Sequence, residues 1–188
     1  MVMKFFADED GRALTKKPKG TRVNAQPVER TFILIKYYEN DAELRADGAK
    51  GFTMIFDIES YINYFLIGFK CVETGKYVAF EDSPVSSIDL HKLNWMVWNF
   101  RLVGFKSTTY DIPMLFLALR GYKAARMKHC SNILIPPDEE FGHKVNYQEE
   151  FNLKIPKIDH IDLFDVAPLT GSLKKYVARL HGERIQDL

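Results

Sequence analysis

The chain has 188 residues, 46% of them apolar and 27% charged, with a formal net charge of +1. Length and composition suit one ordinary globular domain with a sizeable core, and near-zero charge excludes a global field that draws the protein to nucleic acid. Two cysteines are too few for a disulfide framework, and no apolar run approaches the ~20 residues that cross a bilayer.

Residues 1–28 carry Arg12, Lys16, Lys17, Lys19 and Arg22 around Pro18 and Gly20. This stretch reads as a mobile basic arm, either a solvated tail or a nucleic-acid contact. Phe32-Ile33-Leu34-Ile35 reads as a strand before the domain, and the polar stretch 40–51 as a connection with a turn at Gly48 and Gly51. The expected division is an N-terminal arm and extra strand over 1–50 and a single domain over 51–188.

Phe52-Thr53-Met54-Ile55-Phe56 is an apolar run that reads as a buried strand continuing to Ile58. Alternation puts Asp57 and Glu59 on one face and Phe56 and Ile58 on the other. Two carboxylates side by side at the end of a buried strand repel each other and are costly to desolvate. A hard divalent cation takes oxygen ligands and removes that cost. The alternative is that the strand ends near Asp57 and both acids are solvated.

Tyr64 to Cys71 reads as a second strand after a turn at Tyr61-Ile62-Asn63. Glu73-Thr74-Gly75-Lys76 is a hairpin turn into a third strand, Tyr77 to Phe80. Ser86-Ser87-Ile88-Asp89 opens a helix with a serine cap, and Leu90, Leu93, Trp95, Met96 and Val97 form its apolar face. Leu102 to Phe105 is a fourth strand. A polar loop leads to a helix from Asp111 to about Leu119, with Pro113 in its first turn and Gly121 after its end. Asp111 suits a helix cap. Residues from Tyr122 to about Pro156 mix basic, acidic and proline residues and read as an insertion of loops and short helix. Ile158 to Phe164 is a fifth strand. Ser172 caps a last helix with Leu173, Tyr176, Val177 and Leu180 inward.

An Asp-x-Glu strand end, a hairpin, and then a strand, loop, Tyr110-Asp111 and helix form a specific order of parts. That order resembles the DEDD 3′-5′ exonucleases, whose fold is ribonuclease H-like. Gly104-Phe105 and Asp111-Ile112-Pro113-Met114-Leu115 resemble the proofreading exonucleases of phage and viral family B-type DNA polymerases. Ile161-Asp162-Leu163-Phe164-Asp165-Val166 and Gly171-Ser172-Leu173-Lys174-Lys175-Tyr176 resemble the strand and helix that follow in that group. Two departures stand out. Lys106 occupies a place where the family often has Asn. The third motif, a Tyr or His followed by a last metal-binding Asp, is absent before Leu188, and Asp159, Asp162 and Asp165 lie on the wrong element to replace it. The expectation is a fragment of a longer protein or a member lacking the fourth carboxylate.

The resemblance implies an α/β, ribonuclease H-like domain with a five-stranded mixed sheet flanked by helices, truncated before the third motif and carrying the insertion at about 122–157. It implies two Mg²⁺ or Mn²⁺ ions, about 3.5–4 Å apart in such sites. Asp57 would bridge both ions, Glu59 would serve the water-activating ion and Asp111 the second. With no fourth acid the water-activating ion binds weakly, and low activity is expected. Tyr61, Tyr64 and Tyr110 are candidate stacking surfaces for a substrate strand, and Phe65 suits the core better. Lys106 and Arg120 are candidate phosphate contacts.

The leading function is metal-dependent 3′-5′ exonuclease action on DNA, as the proofreading part of a phage or viral DNA polymerase. Its partners would be the 3′ end of single-stranded DNA and a polymerase domain in the same or another chain, with no membrane. The alternative is a non-catalytic nucleic-acid or protein binding module on a degenerate exonuclease fold. A different ribonuclease H-like nuclease, such as a resolvase, fits the order of parts less well. Nothing at the N-terminus reads as a signal peptide, so the expected compartment is cytoplasmic, a host's if the protein is phage-encoded.

Overall fold

The structure, a computed structural model, describes residues 6–7, 13–14, 36–135 and 145–167, with Gly171, Leu173 and Tyr176. Met1–Ile35 and Lys36–Leu188 form separate compact units. In the first, β1 (Phe6–Ala7) pairs antiparallel with β2 (Ala13–Leu14). The basic residues of the arm, the Phe32–Ile35 strand, Pro136-Pro137 and the Ser172 cap lie outside the described residues.

The second unit is built on a five-stranded mixed sheet flanked by helices, the α/β, ribonuclease H-like architecture. Its strands are β3 (Thr53–Tyr61), β4 (Tyr64–Cys71), β5 (Tyr77–Asp82), β6 (Arg101–Gly104) and β7 (His160–Asp162). They lie in the order β5-β4-β3-β6-β7. The antiparallel half, β3 to β5, is a meander of two hairpins, and Tyr61 pairs directly with Tyr64 across the first. The parallel half joins Ile55 to Val103 and Gly104 to Asp162.

The register explains which face is buried. Met54, Phe56 and Ile58 of β3 stand opposite Cys71, Phe69 and Ile67 of β4, and Ile67 stands opposite Phe80 of β5. All are buried. The same period puts Ile55, Asp57, Glu59 and Tyr61 on the other, open face. A one-residue slip would bury the acids and expose the phenylalanines, so the hydrophobic pattern sets the register.

Helices α2 (Leu90–Asn99), α3 (Asp111–Leu119) and α4 (Ala124–Leu134) bring Leu93, Met96, Met114, Leu115, Leu117, Met127 and Cys130 into the core with the buried strand face. Each fully buried side chain of this size contributes about 1.5–3 kcal/mol. Two shorter helical turns, α5 (Tyr147–Glu150) and α6 (Leu163–Val166), flank β7 in sequence.

Four local expectations are corrected. The stretch read as a polar connection is a helix, α1 (Asp41–Ala49), capped by Asn40, whose side chain accepts from the Glu43 N–H. Gly48 sits inside it because a Cβ there would lie 2.4 Å from the Trp95 ring. Asp89, not a serine, caps α2 by accepting from the Lys92 N–H. The segment read as a loop insertion carries α4, which buries Ala124, Met127, Cys130, Ser131 and Leu134; its polar residues sit between those positions at helical spacing. The fifth strand ends at Asp162, because that side chain accepts from the Phe164 N–H and starts a helical turn.

Candidate functional site

Two parallel strands, β6 and β7, end side by side at Gly104 and Asp162. β3 runs past the end of β6, whose last pairing to β3 is Val103 with Ile55. The chain leaves β6 at Gly104, forms the 105–110 loop and enters α3 at Asp111. Loops beyond the carboxyl ends of parallel strands are where open α/β sheets place ligands.

Asp111 is not a helix cap. The cap position is Tyr110, which makes no side-chain capping bond, and Asp111 is the first helical residue. Its side chain is buried, at 6% exposure. The carboxyls of Asp57 and Asp111 both face the backbone N–H of Ile58, which acts to lower each of them. That amide lies in the part of β3 that β6 no longer covers.

The electrostatics follow from this packing. Burial, then the neighbouring Asp57 charge, pushes the Asp111 carboxyl from 3.8 up to about 7, against its own backbone N–H and that of Ile58. Asp57 lies on the open face, yet desolvation of its carboxyl still raises it, opposed by the Ile58 N–H. Like charges and low local dielectric both penalise ionisation here. The donor set suits a hard divalent cation, which would relieve the repulsion and the desolvation cost together.

Glu59 is the next residue on the same face, about 7 Å further along the strand. It is exposed and accepts a long hydrogen bond, 3.4 Å, from the Tyr61 hydroxyl. Among the described residues, no three His, Cys, Asp or Glu side chains come together as a metal-holding group. In place of the expected three-carboxylate convergence, Asp57 and Asp111 lie near enough to repel each other, with Glu59 further along the strand. Unneutralised carboxylates repel, which favours this spread arrangement.

The later acids are engaged elsewhere. Asp159 pairs with the Arg101 guanidinium at 3.2 Å. Asp162 is buried, and its Oδ1 accepts from the N–H groups of Lys106 (2.8 Å) and Phe164 (2.9 Å) while Oδ2 accepts from Thr108 (2.9 Å). Burial acts to raise its carboxyl, but these backbone donors and the Thr108 hydroxyl hold it below the ordinary value. Asp165 is exposed on α6.

The candidate nucleic-acid contacts divide into two groups. Tyr61 is 55% exposed and its ring tilts against Tyr64 at 6.5 Å, forming an aromatic pair at the hairpin end on the face of Asp57 and Glu59. Gly68, opposite Asp57, leaves open space beside it. Tyr110 is different: its hydroxyl is 2.8 Å from the Ser131 hydroxyl on α4. Burial raises it, opposed by Ser131, and the charges of Asp111, Glu59 and Asp57 raise it further, so the hydroxyl feels all three acids. Lys106 is drawn aside, with its ammonium 4.9 Å from the Phe164 ring centroid. Arg120 donates to the carbonyls of Phe151 and Asn152 at 2.9 and 2.7 Å, a structural role. Phe65 is fully buried core.

Sequence reasoning missed three contributors: the Ile58 amide, the Ser131 partner of Tyr110, and Asp162. For Asp162 a signal existed, because an aspartate whose side chain can accept from the N–H two residues on is a common turn-former. For the other two the partners are distant in sequence and no local pattern marks them. No protein-family model matches the chain, and no curated protein or solved structure matches it either.

Proposed function

We propose that this chain is a DEDD-type, metal-dependent 3′-5′ exonuclease domain acting on the 3′ end of single-stranded DNA, of the proofreading kind that serves phage and viral DNA polymerases. The observation that supports it most is the Asp57–Asp111 pair, two carboxyls that repel each other beside the Ile58 amide, where the parallel pairing of β3 with β6 ends. Asp57 and Asp111 would hold Mg²⁺ or Mn²⁺, with Glu59 joining at the exposed side. Two such ions supply an activated water and charge neutralisation at the leaving 3′ oxygen.

The chain's own residues do the rest. Asp57 and Glu59 present their carboxylates on the open sheet face, where a phosphodiester can approach across Gly68. The Tyr61–Tyr64 pair offers a stacking surface on that face, and base–aromatic stacking contributes ~1–3 kcal/mol per base. Tyr110, held by Ser131 of α4, keeps its hydroxyl within the field of the three acids. A polymerase domain, in the same or another chain, is the expected partner. A reducing, cytoplasmic setting accords with Cys71 and Cys130, both free thiols. No helix among the described residues is long and apolar enough to cross a membrane.

Digestion of a 5′-labelled oligonucleotide in Mg²⁺ tests the proposal. A ladder of products shortened from the 3′ end, lost in Asp57→Ala, is the expected result; metal-independent or Asp57-independent cleavage refutes it. The second reading is a non-catalytic binding module on the same fold. It is favoured by the lack of a three-carboxylate group among the described residues. Under that reading the oligonucleotide is bound but never shortened, at any Mg²⁺ or Mn²⁺ concentration.

A further inference from the structure

We infer that Asp162 is a positioning residue, whose carboxylate on β7 sets the 105–110 loop and through it holds Asp111 against β3. The inference deepens the proposed function, on which the meaning of the Asp111 site rests.

The connection is continuous. Asp162 binds the loop on both sides of Ser107, through the Lys106 N–H to Oδ1 and the Thr108 N–H to Oδ2. Ser107, fully buried between them, accepts at its carbonyl from the Ile112 N–H at 2.8 Å, in the first turn of α3. Asp111 is the residue next to Ile112. A second tie secures the same loop: the Ser107 hydroxyl is 2.9 Å from His160 Nε2, two residues before Asp162 on β7. The loop needs this support, since Lys106 has φ of 57°, a left-handed conformation that costs a non-glycine residue about 1–2 kcal/mol.

The arrangement is more than a helix-turn cap. Phe164 alone would satisfy that role, yet two of the three amides bound by Asp162 belong to a segment more than fifty residues earlier. Three of the carboxylate's roughly four acceptor sites go to the loop and the turn, and both oxygens are engaged. It therefore acts through Asp111 rather than on a substrate.

The test uses the full chain and two readouts. The isosteric Asp162→Asn removes the charge and one acceptor oxygen while keeping the other. His160→Gln loosens the same loop through Ser107 and serves as a second variant. Asp82→Asn is the control: Asp82 is equally buried, but its bonds go to Ala124 and Lys123 at the start of α4. Amide hydrogen exchange followed by NMR reads the position of Asp111 through the Ile58 N–H, the strand amide that its carboxyl faces, and reads the loop tie itself through the Ile112 N–H, bonded to the Ser107 carbonyl. The expected result is Ile58 exchange roughly tenfold faster in Asp162→Asn and His160→Gln, with the other β3 amides unchanged, and no selective change in Asp82→Asn. Mn²⁺ titration should show about tenfold weaker binding in the first two variants only. Ile58 protection equal to wild type in a folded Asp162→Asn overturns the inference, as does uniform loosening of all β3 amides. Wild-type protein that binds no Mn²⁺ while the Ile58 effect appears would leave this inference standing and overturn the proposed function.

Discussion

The carboxyls of Asp57 and Asp111 face the same backbone amide, the N–H of Ile58, and burial and their mutual repulsion raise Asp111. Asp57 reaches it from its own strand, and Asp111 from the start of a helix 54 residues away, in the gap that opens where β3 outruns β6. The pair is the most costly electrostatic feature of the site, and its consequences can be measured.

Stability should depend on pH with a sign set by Asp111. Its carboxyl, raised from 3.8 to about 7, keeps a proton in the folded state that the unfolded chain has already released. Between those values the unfolded state binds fewer protons, so stability falls as pH rises. Urea unfolding at about pH 5 and about pH 8 should differ by an amount on the order of 2–4 kcal/mol. Asp111→Asn should flatten the profile and exceed wild type at the higher pH. Asp162, held low, acts in the opposite sense: its contribution is lost as pH falls through the acid range. A wild-type profile that is flat between the two pH values would disprove the Asp57–Asp111 coupling.

Divalent metal should reverse that pH trend. Binding requires the deprotonated carboxylate, so Mn²⁺ affinity should climb roughly tenfold per pH unit below about 7 and level off above it. Calorimetric titration checks this, and Asp57→Ala should abolish the signal. Unchanged binding by Asp57→Ala would remove the site assignment.

Gly104→Ala should destabilise the protein sharply. A Cβ at that position lies 2.5 Å from Ser107 Cβ and Oγ and 3.2 Å from the Phe56 ring. Ser107 is fully buried and bonded to His160, so neither side can yield easily. Overpacking of this kind costs about 1–3 kcal/mol. Thermal unfolding of the variant measures it; a change under about 0.5 kcal/mol would mean that the loop can shift freely.

Tyr110 and Ser131 should behave as a coupled pair. Their hydroxyls are 2.8 Å apart, and each is the other's partner in a partly buried setting. Tyr110→Phe and Ser131→Ala should each cost about 1–3 kcal/mol, because each strands the remaining hydroxyl. The double variant should cost less than the two together, with a coupling of about 0.5 kcal/mol or more. Additive losses in the double-mutant cycle would show that the hydrogen bond carries no net stability.

Much of the fold was legible residue by residue. The alternation from Met54 to Glu59 announces both the buried face and the acidic face, although the strand runs on to Tyr61 where a turn was expected, and the run from Tyr64 to Cys71 was bounded correctly at both ends. The α3 helix also begins at the expected Asp111. These features rest on periodicity and turn chemistry, which act over a few residues. The polar sequence of α1 hid a helix, because its stability comes from Asn40 at the cap and from Leu44 and Gly48 against the rest of the unit. Helix α4 was hidden likewise by exposed basic residues between its buried positions.

The site divides along the same line. Local sequence was enough to place Asp57 and Glu59 on one strand face and Asp111 at a helix start, because side-chain direction follows from strand and helix period. It could not reveal that Asp111 reaches the Ile58 amide, that Tyr110 is anchored on Ser131, that Lys106 turns to Phe164, or that Asp162 grips the 105–110 loop. Three of these join groups brought together by the β3-β6-β7 order and cross more than fifty residues of chain, while the Tyr110–Ser131 tie links the start of α3 to α4. Burial then decides the chemistry: the same aspartate that would titrate near 4 in an open helix turn is held to about 7 when the sheet and Asp57 close around it.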